Sequence, residues 1–326
     1  MFKPIRRNRP IGLIGLGLMG SAIAERLIAA GYSVIGWDLA APARNRLRKL
    51  GGQPAASGPE VFTCCDRVLL SLPDTKITRS VLSDAAPALH YGHIIADTTT
   101  GDPRDTEELC RQIAPTGATY LDATISGNSD QLRRGEVLVM VGGLEPAFKV
   151  CRKLFAAFAT RTIYTGTTGS AARMKLVTNL VLGLNRAALA EGLSFARALK
   201  LDGPQVLQIL RASMAYSRIM DVKGEKMLRG NFKPQARLSQ HLKDVRLMIA
   251  AAKKSGAQLP LSETHRDILL RAEAAGLGQL DNSAIIRVIG TPPSKSVHSN
   301  GAPASGPAQL KQSAASRRGG ARRSAR

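Results

Sequence analysis

Residues 11–20 read Ile11-Gly12-Leu13-Ile14-Gly15-Leu16-Gly17-Leu18-Met19-Gly20, an apolar run of strand length that meets three glycines spaced G-x-G-x-x-G. A helical pattern follows directly in Ser21-Ala22-Ile23-Ala24-Glu25-Arg26-Leu27. Gly15 is expected to permit a tight turn, Gly17 to let the backbone approach a pyrophosphate, and Gly20 to let helix and strand pack closely. The pattern predicts a dinucleotide-binding turn, with the amino terminus of the helix aimed at the phosphates.

A second apolar run supports this interpretation, because residues 32–37 read as a strand that ends next to Asp38. An acidic residue about 20 positions beyond the glycines is the expected ribose ligand of an NAD site. We therefore predict NAD as the cofactor, with NADP possible. A plain strand–helix turn without a ligand is the alternative, since glycine-rich turns are common.

Residues 11 to about 120 alternate apolar strands with amphipathic helices, which indicates βαβ units and a parallel sheet. We predict helices at 43–50 and 80–89 and strands at 67–72 and 93–97. The second of these strands ends in Thr98-Thr99-Thr100. Ligands of open α/β sheets lie at such strand ends. The threonines could equally cap the following helix.

The second half of the chain is helical in pattern. Residues 166–199 form a long stretch that is apolar on several faces, typical of a helix that bridges domains or lies in a dimer core. The predicted fold class is α/β: an N-terminal Rossmann-type doubly wound parallel sheet followed by an all-α C-terminal domain. The predicted divisions are a basic arm (1–10), a dinucleotide-binding domain (11–165), a helical substrate and dimerisation domain (166–290) and a disordered basic tail (291–326).

The formal charge of the 326-residue chain is +22, and the tail accounts for +7 and the arm for +4. The remaining +11 suits a protein that handles anionic cofactors and substrates. The four cysteines have no C-x-x-C spacing, so we predict neither a disulfide framework nor a metal site. No apolar stretch reaches the roughly 20 residues of a membrane span. We expect a cytoplasmic protein with no membrane partner.

Lys175 and Asn179 are four residues apart, so they share one face of the long predicted helix. Two polar groups on an apolar helix are costly unless they are solvated or used. In isolation, a lysine that extends its amine into solvent is the simpler interpretation.

The layout of residues 11–290 resembles the β-hydroxyacid dehydrogenase family, which is 3-hydroxyisobutyrate dehydrogenase-like and belongs to the 6-phosphogluconate dehydrogenase superfamily. Four ordered motifs carry the resemblance: Gly15-Leu16-Gly17-Leu18-Met19-Gly20, Asp122-Ala123-Thr124-Ile125-Ser126-Gly127-Asn128, the helix start at 166–179, and Lys243-Asp244. Four motifs in order are far more specific than any one of them.

The resemblance implies roles for individual residues. Lys175 would be the general acid/base, and Asn179 would hydrogen-bond an oxygen at or beside the reacting carbon. Ser126 and the Gly127 N–H would hold the substrate carboxylate, and Lys243 would lie near nicotinamide and substrate. The implied cofactor-binding residues are Gly15, Gly17, Leu18, Met19, Gly20, Asp38, Leu72, Pro73, Thr99 and Lys243.

The expected function is hydride transfer between NAD(P) and a small β-hydroxy acid or its semialdehyde, by a homodimer or homotetramer. A non-catalytic dinucleotide-binding scaffold whose basic tail binds nucleic acid is the alternative.

Several positions depart from the family pattern. Thr124 and Asn128 replace a proline and a glycine of the substrate loop, Ala171 replaces a helix-start glycine, and Ala236 replaces a phenylalanine. These departures lie on the substrate side, so the substrate itself does not follow from the resemblance. Arg218 or Arg237 could pair with a second anionic group on the substrate, and the alternative is that both are solvated surface charges.

Overall fold

In the computed structural model, which describes residues 9–290, the strands β1 to β6 run parallel to one another. The strands β7 and β8 run parallel to each other and antiparallel to β6. The order in the sheet is β3-β2-β1-β4-β5-β6-β7-β8. The strands are β1 Ile11–Ile14, β2 Val34–Trp37, β3 Gln53–Pro54, β4 Arg67–Leu70, β5 Ile94–Asp97, β6 Thr119–Ser126, β7 Leu138–Gly143 and β8 Arg161–Gly166. The chain reverses from β3 back to β4 beside β1, so the glycine turn after β1 lies at the crossover where such sheets bind ligands.

Twelve α-helices lie within the described residues. Those that follow the strands are α1 Leu18–Ala29, α2 Ala41–Lys49, α3 Gly58–Cys64, α4 Thr75–Ala85, α5 Pro103–Ile113, α6 Ser129–Arg133 and α7 Glu145–Ala156. The helical region consists of α8 Ser170–Ala198, α9 Gly203–Ala212, α10 Ile219–Arg229, α11 Leu238–Ser255 and α12 Pro260–Ala274. Short 3-10 turns occur at Ala86–Ala88, Ala114–Thr116 and Asn282–Arg287.

Two clusters of buried apolar side chains cover the two faces of the sheet, and a third fills the helical region. The 29-residue helix α8 packs on β6 and β7 at its start and on α9 to α12 beyond it. The predicted fold class is therefore confirmed, and α8 bridges its two parts. No helix in 9–290 is long and apolar enough to cross a membrane.

Several predicted boundaries were wrong. The helix predicted at 80–89 begins at Thr75, because the Asp74 side chain caps it by accepting from the Ile77 N–H at 2.9 Å. The strand predicted at 67–72 ends at Leu70. The long helix begins at Ser170, since residues through Gly166 belong to β8. The predicted tail 291–326 and most of the predicted arm lie outside the described residues.

Candidate active site

The glycine turn has the backbone geometry that its sequence predicts. Gly15 adopts φ +90°, and a Cβ there would lie 2.2 Å from the Ser71 carbonyl oxygen. A Cβ on Gly20 would lie 1.9 Å from the Gly15 oxygen, so no side chain fits between strand and helix. A Cβ on Gly17 would meet nothing within 4 Å. The open side of this turn, at the amino terminus of α1, therefore fits a pyrophosphate group.

Asp38 lies at the end of β2 and is tied to the same turn. Its Oδ2 accepts from the Leu16 N–H at 2.7 Å, and its Oδ1 accepts from the Ala40 N–H at 2.8 Å. The Arg44 guanidinium donates to the carbonyl oxygens of Asp38 and Leu39 at 2.5 and 2.9 Å. Both a carboxylate and a guanidinium thus lie where a ribose would be recognised. Leu18 and Met19 form the first turn of α1, exposed and half-buried respectively.

The loops after β4 and β5 are joined to each other through threonine. Thr99 Oγ1 accepts from the Leu72 N–H at 3.2 Å, and Thr98 Oγ1 donates to the Leu70 carbonyl at 2.7 Å. The side chain that caps α5 is Asp102, which accepts from the Arg104 N–H at 2.9 Å. The helix-capping interpretation of the threonines is therefore wrong.

Lys243 joins the helical region to these loops. Its Nζ, on α11, donates to the carbonyl oxygens of Pro73 at 3.0 Å and Thr100 at 2.8 Å. Lys243 therefore lies next to the predicted cofactor-binding residues in the loops after β4 and β5.

Lys175 points inward, so the interpretation that it extends into solvent is wrong. Only 7% of the residue is exposed, and its Nζ donates to the Ile125 carbonyl at 2.6 Å. That carbonyl immediately precedes Ser126 and Gly127, so the amine lies beside the predicted substrate loop. Burial lowers the pKa of Lys175 to about 8, against the opposing effect of the Asp244 carboxylate. A group with this pKa can donate or accept a proton near neutral pH.

Asn179, one helical turn further along α8, donates through Nδ2 to Asp244 Oδ2 at 3.0 Å. The other carboxylate oxygen of Asp244 is 3.6 Å from the Lys243 Nζ. Burial raises the pKa of Asp244, while Lys243 and Lys175 both lower it. Asp244 therefore links Asn179 to Lys243. Sequence reasoning assigned it no role, although it directly follows Lys243 in the motif.

The substrate loop leaves β6 at Ser126 and turns at Gly127, which has φ +147° and would place a Cβ 2.6 Å from Val137. Asn128 caps α6, since its Oδ1 accepts from the N–H groups of Asp130 and Gln131 at 3.0 Å each. The replacement of the family glycine by Asn128 thus has a local structural reason.

Two polar residues of β6 hold the start of α8. Asp122 Oδ2 accepts from the Ala172 N–H at 3.0 Å, and Thr124 Oγ1 donates to the Ala171 carbonyl at 3.2 Å. Burial raises the pKa of Asp122 to about 6, although backbone N–H groups at the helix start, including that of Ala172, lower it. These contacts fix the end of α8 that carries Lys175.

Gln235 makes two contacts on the substrate side of the site, and neither was predicted from the sequence. Its Nε2 donates to Asp130 Oδ2 at 2.5 Å, and its Oε1 accepts from the Lys223 Nζ at 3.1 Å. Ala236, beside it, is half-buried, while Arg218 and Arg237 are both exposed. Exposure of the two arginines agrees with the solvated alternative, and the second-anion hypothesis stays a prediction.

All four cysteines are free. One group of potential metal ligands occurs among residues 9–290: Asp66, His90 and His93 bring one ligand atom each within 4.8 Å of one another. The Arg9 guanidinium pairs with Asp66 at 2.8 Å, and the two imidazoles stack with centroids 3.8 Å apart. This group lies at the amino ends of the strands, away from Lys175, and the expectation of no metal site stays a prediction.

Comparisons with known proteins match both parts of the chain. Residues 10–166 match the model of the NAD binding domain of 6-phosphogluconate dehydrogenase. Residues 169–289 match the model described as NAD-binding of NADP-dependent 3-hydroxyisobutyrate dehydrogenase.

Individual proteins also align with most of this chain. The chain is 31% identical to 2-hydroxy-3-oxopropionate reductase of Escherichia coli K12 over 282 residues, 86% of this chain and 96% of that protein. It is 30% identical to cytokine-like nuclear factor N-PAC of Xenopus tropicalis over 286 residues, 87% of this chain but only 54% of that protein. The structure of Mycobacterium tuberculosis 3-hydroxyisobutyrate dehydrogenase with L-serine superposes with a TM-score of 0.77 at 26% identity, covering 86% of this chain and 98% of that one. The chain belongs to the β-hydroxyacid dehydrogenase family and is an NAD(P)-dependent oxidoreductase that acts on CH–OH groups.

Proposed function

We propose that Lys175 is the general acid/base of this reaction and that the substrate is a short carboxylate with its hydroxyl or carbonyl group at the β position. The observation that carries the proposal is the buried amine of Lys175, 2.6 Å from the carbonyl that precedes Ser126. A carboxylate held by Ser126 and the Gly127 N–H would place an oxygen a few bonds away within reach of that amine.

In reduction, Lys175 Nζ donates a proton to the substrate carbonyl oxygen, and in oxidation its neutral amine takes the hydroxyl proton. A nicotinamide cofactor held in this site would supply the hydride in reduction and accept it in oxidation. Asn179 donates to the same or a neighbouring oxygen, and Asp244 orients it. The turn at Gly15–Gly20, Asp38, Leu72, Pro73, Thr99 and Lys243 would hold the cofactor.

We propose that the substrate is more polar than 3-hydroxyisobutyrate. Ala236 stands where the family usually has phenylalanine, so a bulky apolar wall is missing, and Gln235 and Asp130 add polar groups on the same side. The relative from Escherichia coli is named for 2-hydroxy-3-oxopropionate, which carries a hydroxyl group in addition to its carboxylate and aldehyde.

The scaffold alternative is not favoured, because Lys175, Asn179 and Lys243 are all present and lie together.

We further propose domain limits of 11–165 and 166–290, a cytoplasmic location and a homo-oligomer. The α8 surface supports association, since Val177, Val181 and Phe195 are 59%, 52% and 64% exposed. An apolar groove of about 410 Å³ is lined in part by Leu176, Val177 and Met248.

A substrate panel tests the proposal. Purified protein is assayed with NAD and NADP against 3-hydroxyisobutyrate, glycerate, threonate and 2-hydroxy-3-oxopropionate. Lys175→Met should lower kcat by about 10²–10⁴-fold because general acid/base catalysis is lost. Cofactor affinity should stay unchanged, since the amine acts on the proton. Retention of most of kcat would refute the role of Lys175.

A further inference from the structure

The two layers of helices that cover the sheet differ in charge. One layer consists of α1, α2, α6 and α7, whose buried residues share one apolar cluster, and these helices carry nine lysines and arginines but three acidic residues. The other layer consists of α3, α4 and α5, which carry four basic and five acidic residues. Positive charge is therefore concentrated on one side of the sheet, in the layer we call the basic layer.

The acidic residues of the basic layer are all paired within it. Glu25 and Asp130 both pair with Arg133, at 2.9 and 3.2 Å. Glu145 pairs with Lys149 at 2.9 Å. The other basic side chains of the layer form no ion pair with any residue of 9–290, so their charge is not balanced by the described part of the chain.

This unbalanced charge lies on the outward sides of α2 and α7. Arg46, Arg48 and Lys49 are exposed on α2, and Arg152 and Lys153 are exposed on α7. The buried residues of both helices face the sheet, so these five side chains extend into solvent. We call these five residues the basic face. Cations gathered on one surface repel one another and attract an anionic partner.

The basic face is continuous across α1. Helix α1 packs against α2 on one side and against α6 on the other. The Arg26 Nε, in the last turn of α1, donates to the Ala157 carbonyl at the end of α7 at 3.3 Å. The charges of α2 and α7 therefore belong to a single surface and can contact one extended anion together.

The composition of this surface indicates the kind of anion. The four helices of the basic layer, all within 9–290, expose no aromatic side chain, so they offer no stacking platform for unpaired bases. Helix α2 exposes no large apolar side chain that would enter a lipid surface. Guanidinium groups, which are the majority on the basic face, bind phosphate oxygens in a bidentate manner.

We propose that the basic face binds the phosphate backbone of double-stranded nucleic acid without reading its sequence. Lysine and arginine contacts to phosphates position a protein on a duplex but carry no sequence information. Residues 291–326 contain seven basic residues and no acidic one, so they can add further phosphate contacts. The proposal does not rest on the proposed catalytic function, because none of the five residues takes part in it.

Fluorescence anisotropy with a labelled DNA duplex of about 24 base pairs and the full chain tests the proposal. Arg48→Glu/Lys49→Glu should raise Kd at least about tenfold at 0.1 M sodium chloride. It should also reduce the slope of log Kd against log salt by about 2, because two phosphate contacts are lost. Arg152→Glu/Lys153→Glu should have the same effect, since α7 belongs to the same surface.

The matched control is Lys76→Glu/Arg79→Glu on α4, which changes the net charge equally but on the other layer. It should keep the slope and change Kd by less than about threefold. Equal losses in the control and the α2 variant would mean attraction by net charge alone and would overturn the proposal.

Three other results would also overturn it. The first is duplex binding that is insensitive to both basic-face variants but lost on removal of residues 291–326, which would assign binding to that segment alone. The second is tighter binding of a single strand of the same length. The third is binding to phosphatidylglycerol vesicles without binding to the duplex at the same salt concentration.

Discussion

At the scale of single residues, the environment of Lys175 sets the chemistry. The amine is buried on α8 and hydrogen-bonded to the Ile125 carbonyl, and the Asp244 carboxylate supports its charge. Neither the burial nor the resulting pKa could be read from the sequence, in which a lysine on an apolar helix is more simply placed at the surface. Two features of the sequence indicated a catalytic role for Lys175: its i, i+4 spacing to Asn179 and the family motif at 166–179.

The pKa of about 8 for Lys175 predicts opposite pH dependences for the two directions of the reaction. Reduction needs the protonated amine, so kcat/KM for the carbonyl substrate should fall above about pH 8. Oxidation needs the neutral amine, so its kcat/KM should rise up to about pH 8 and then level off. Asp244→Asn removes the opposing charge and should move both inflections to lower pH. The pH profiles of kcat/KM in both directions, measured for the wild type and Asp244→Asn, test this prediction. Inflections at the same pH in both proteins would show that Asp244 does not set the pKa of Lys175.

Cofactor preference is a second prediction for single residues. Asp38 faces the glycine turn, and its carboxylate should accept from a ribose 2′-hydroxyl and repel a 2′-phosphate. The wild type should therefore have a higher kcat/KM with NAD than with NADP. Asp38→Ser should reduce or reverse this ratio, because Arg44 remains close enough to meet a phosphate. A wild-type preference for NADP would contradict the prediction.

At the scale of elements, Asp130 on α6 and Gln235 in the segment before α11 form one wall of the substrate side, which we call the substrate wall. The Gln235 amide joins the two elements, and Lys223 determines which end of the amide faces Asp130, because an ammonium group can only donate to Oε1. The second half of the chain was predicted to be helical, but this contact was not predicted, since residues 130 and 235 are 105 positions apart. Long-range polar pairing of this kind has no periodic signal in the chain.

The Gln235 contact carries a prediction about substrate affinity. Gln235→Ala should raise KM for the preferred substrate several-fold and change kcat little, because the wall is loosened while Lys175 stays in place. Gln235→Glu should do more, since it puts a second carboxylate against Asp130. Ser239→Ala, on the neighbouring helix, is the matched control. An equal loss in kcat and no change in KM would place Gln235 with the reacting groups.

At the scale of the whole molecule, the sequence predicted the sheet, the glycine turn and the change from strands to helices, because each has a local period or motif. The sequence did not predict the contacts that hold the parts of the helical region together. These contacts depend on Lys223 and Asp281, which are 3% and 0% exposed and 58 positions apart. Burial alone would raise the pKa of Asp281, but the Lys223 ammonium and donors that include Ser283 hold it down, at about 2.

The last prediction concerns this buried pair. Asp281 accepts from the Lys223 Nζ at 2.8 and 2.9 Å, from the Ser283 hydroxyl at 2.7 Å and from the Gln235 N–H at 2.9 Å. Asp281→Asn leaves the ammonium buried without a counter-charge, so the free energy of unfolding in urea should fall by about 3–5 kcal/mol. Lys223→Met should cost less, because the other donors still satisfy the carboxylate. The double variant should then lose less than the sum of the two, which a double-mutant cycle measures directly.

The exposed pair Arg229 and Glu225, 3.2 Å apart, provides the comparison. Arg229→Met should change the unfolding free energy by no more than about 1 kcal/mol, since solvent screens that pair. Additive losses at Lys223 and Asp281 would mean that the two side chains stabilise the helical region independently. In that case the contacts of Asp281 with Ser283 and Gln235, and not its charge, would be what joins the 3-10 turn at Asn282–Arg287 to the substrate wall.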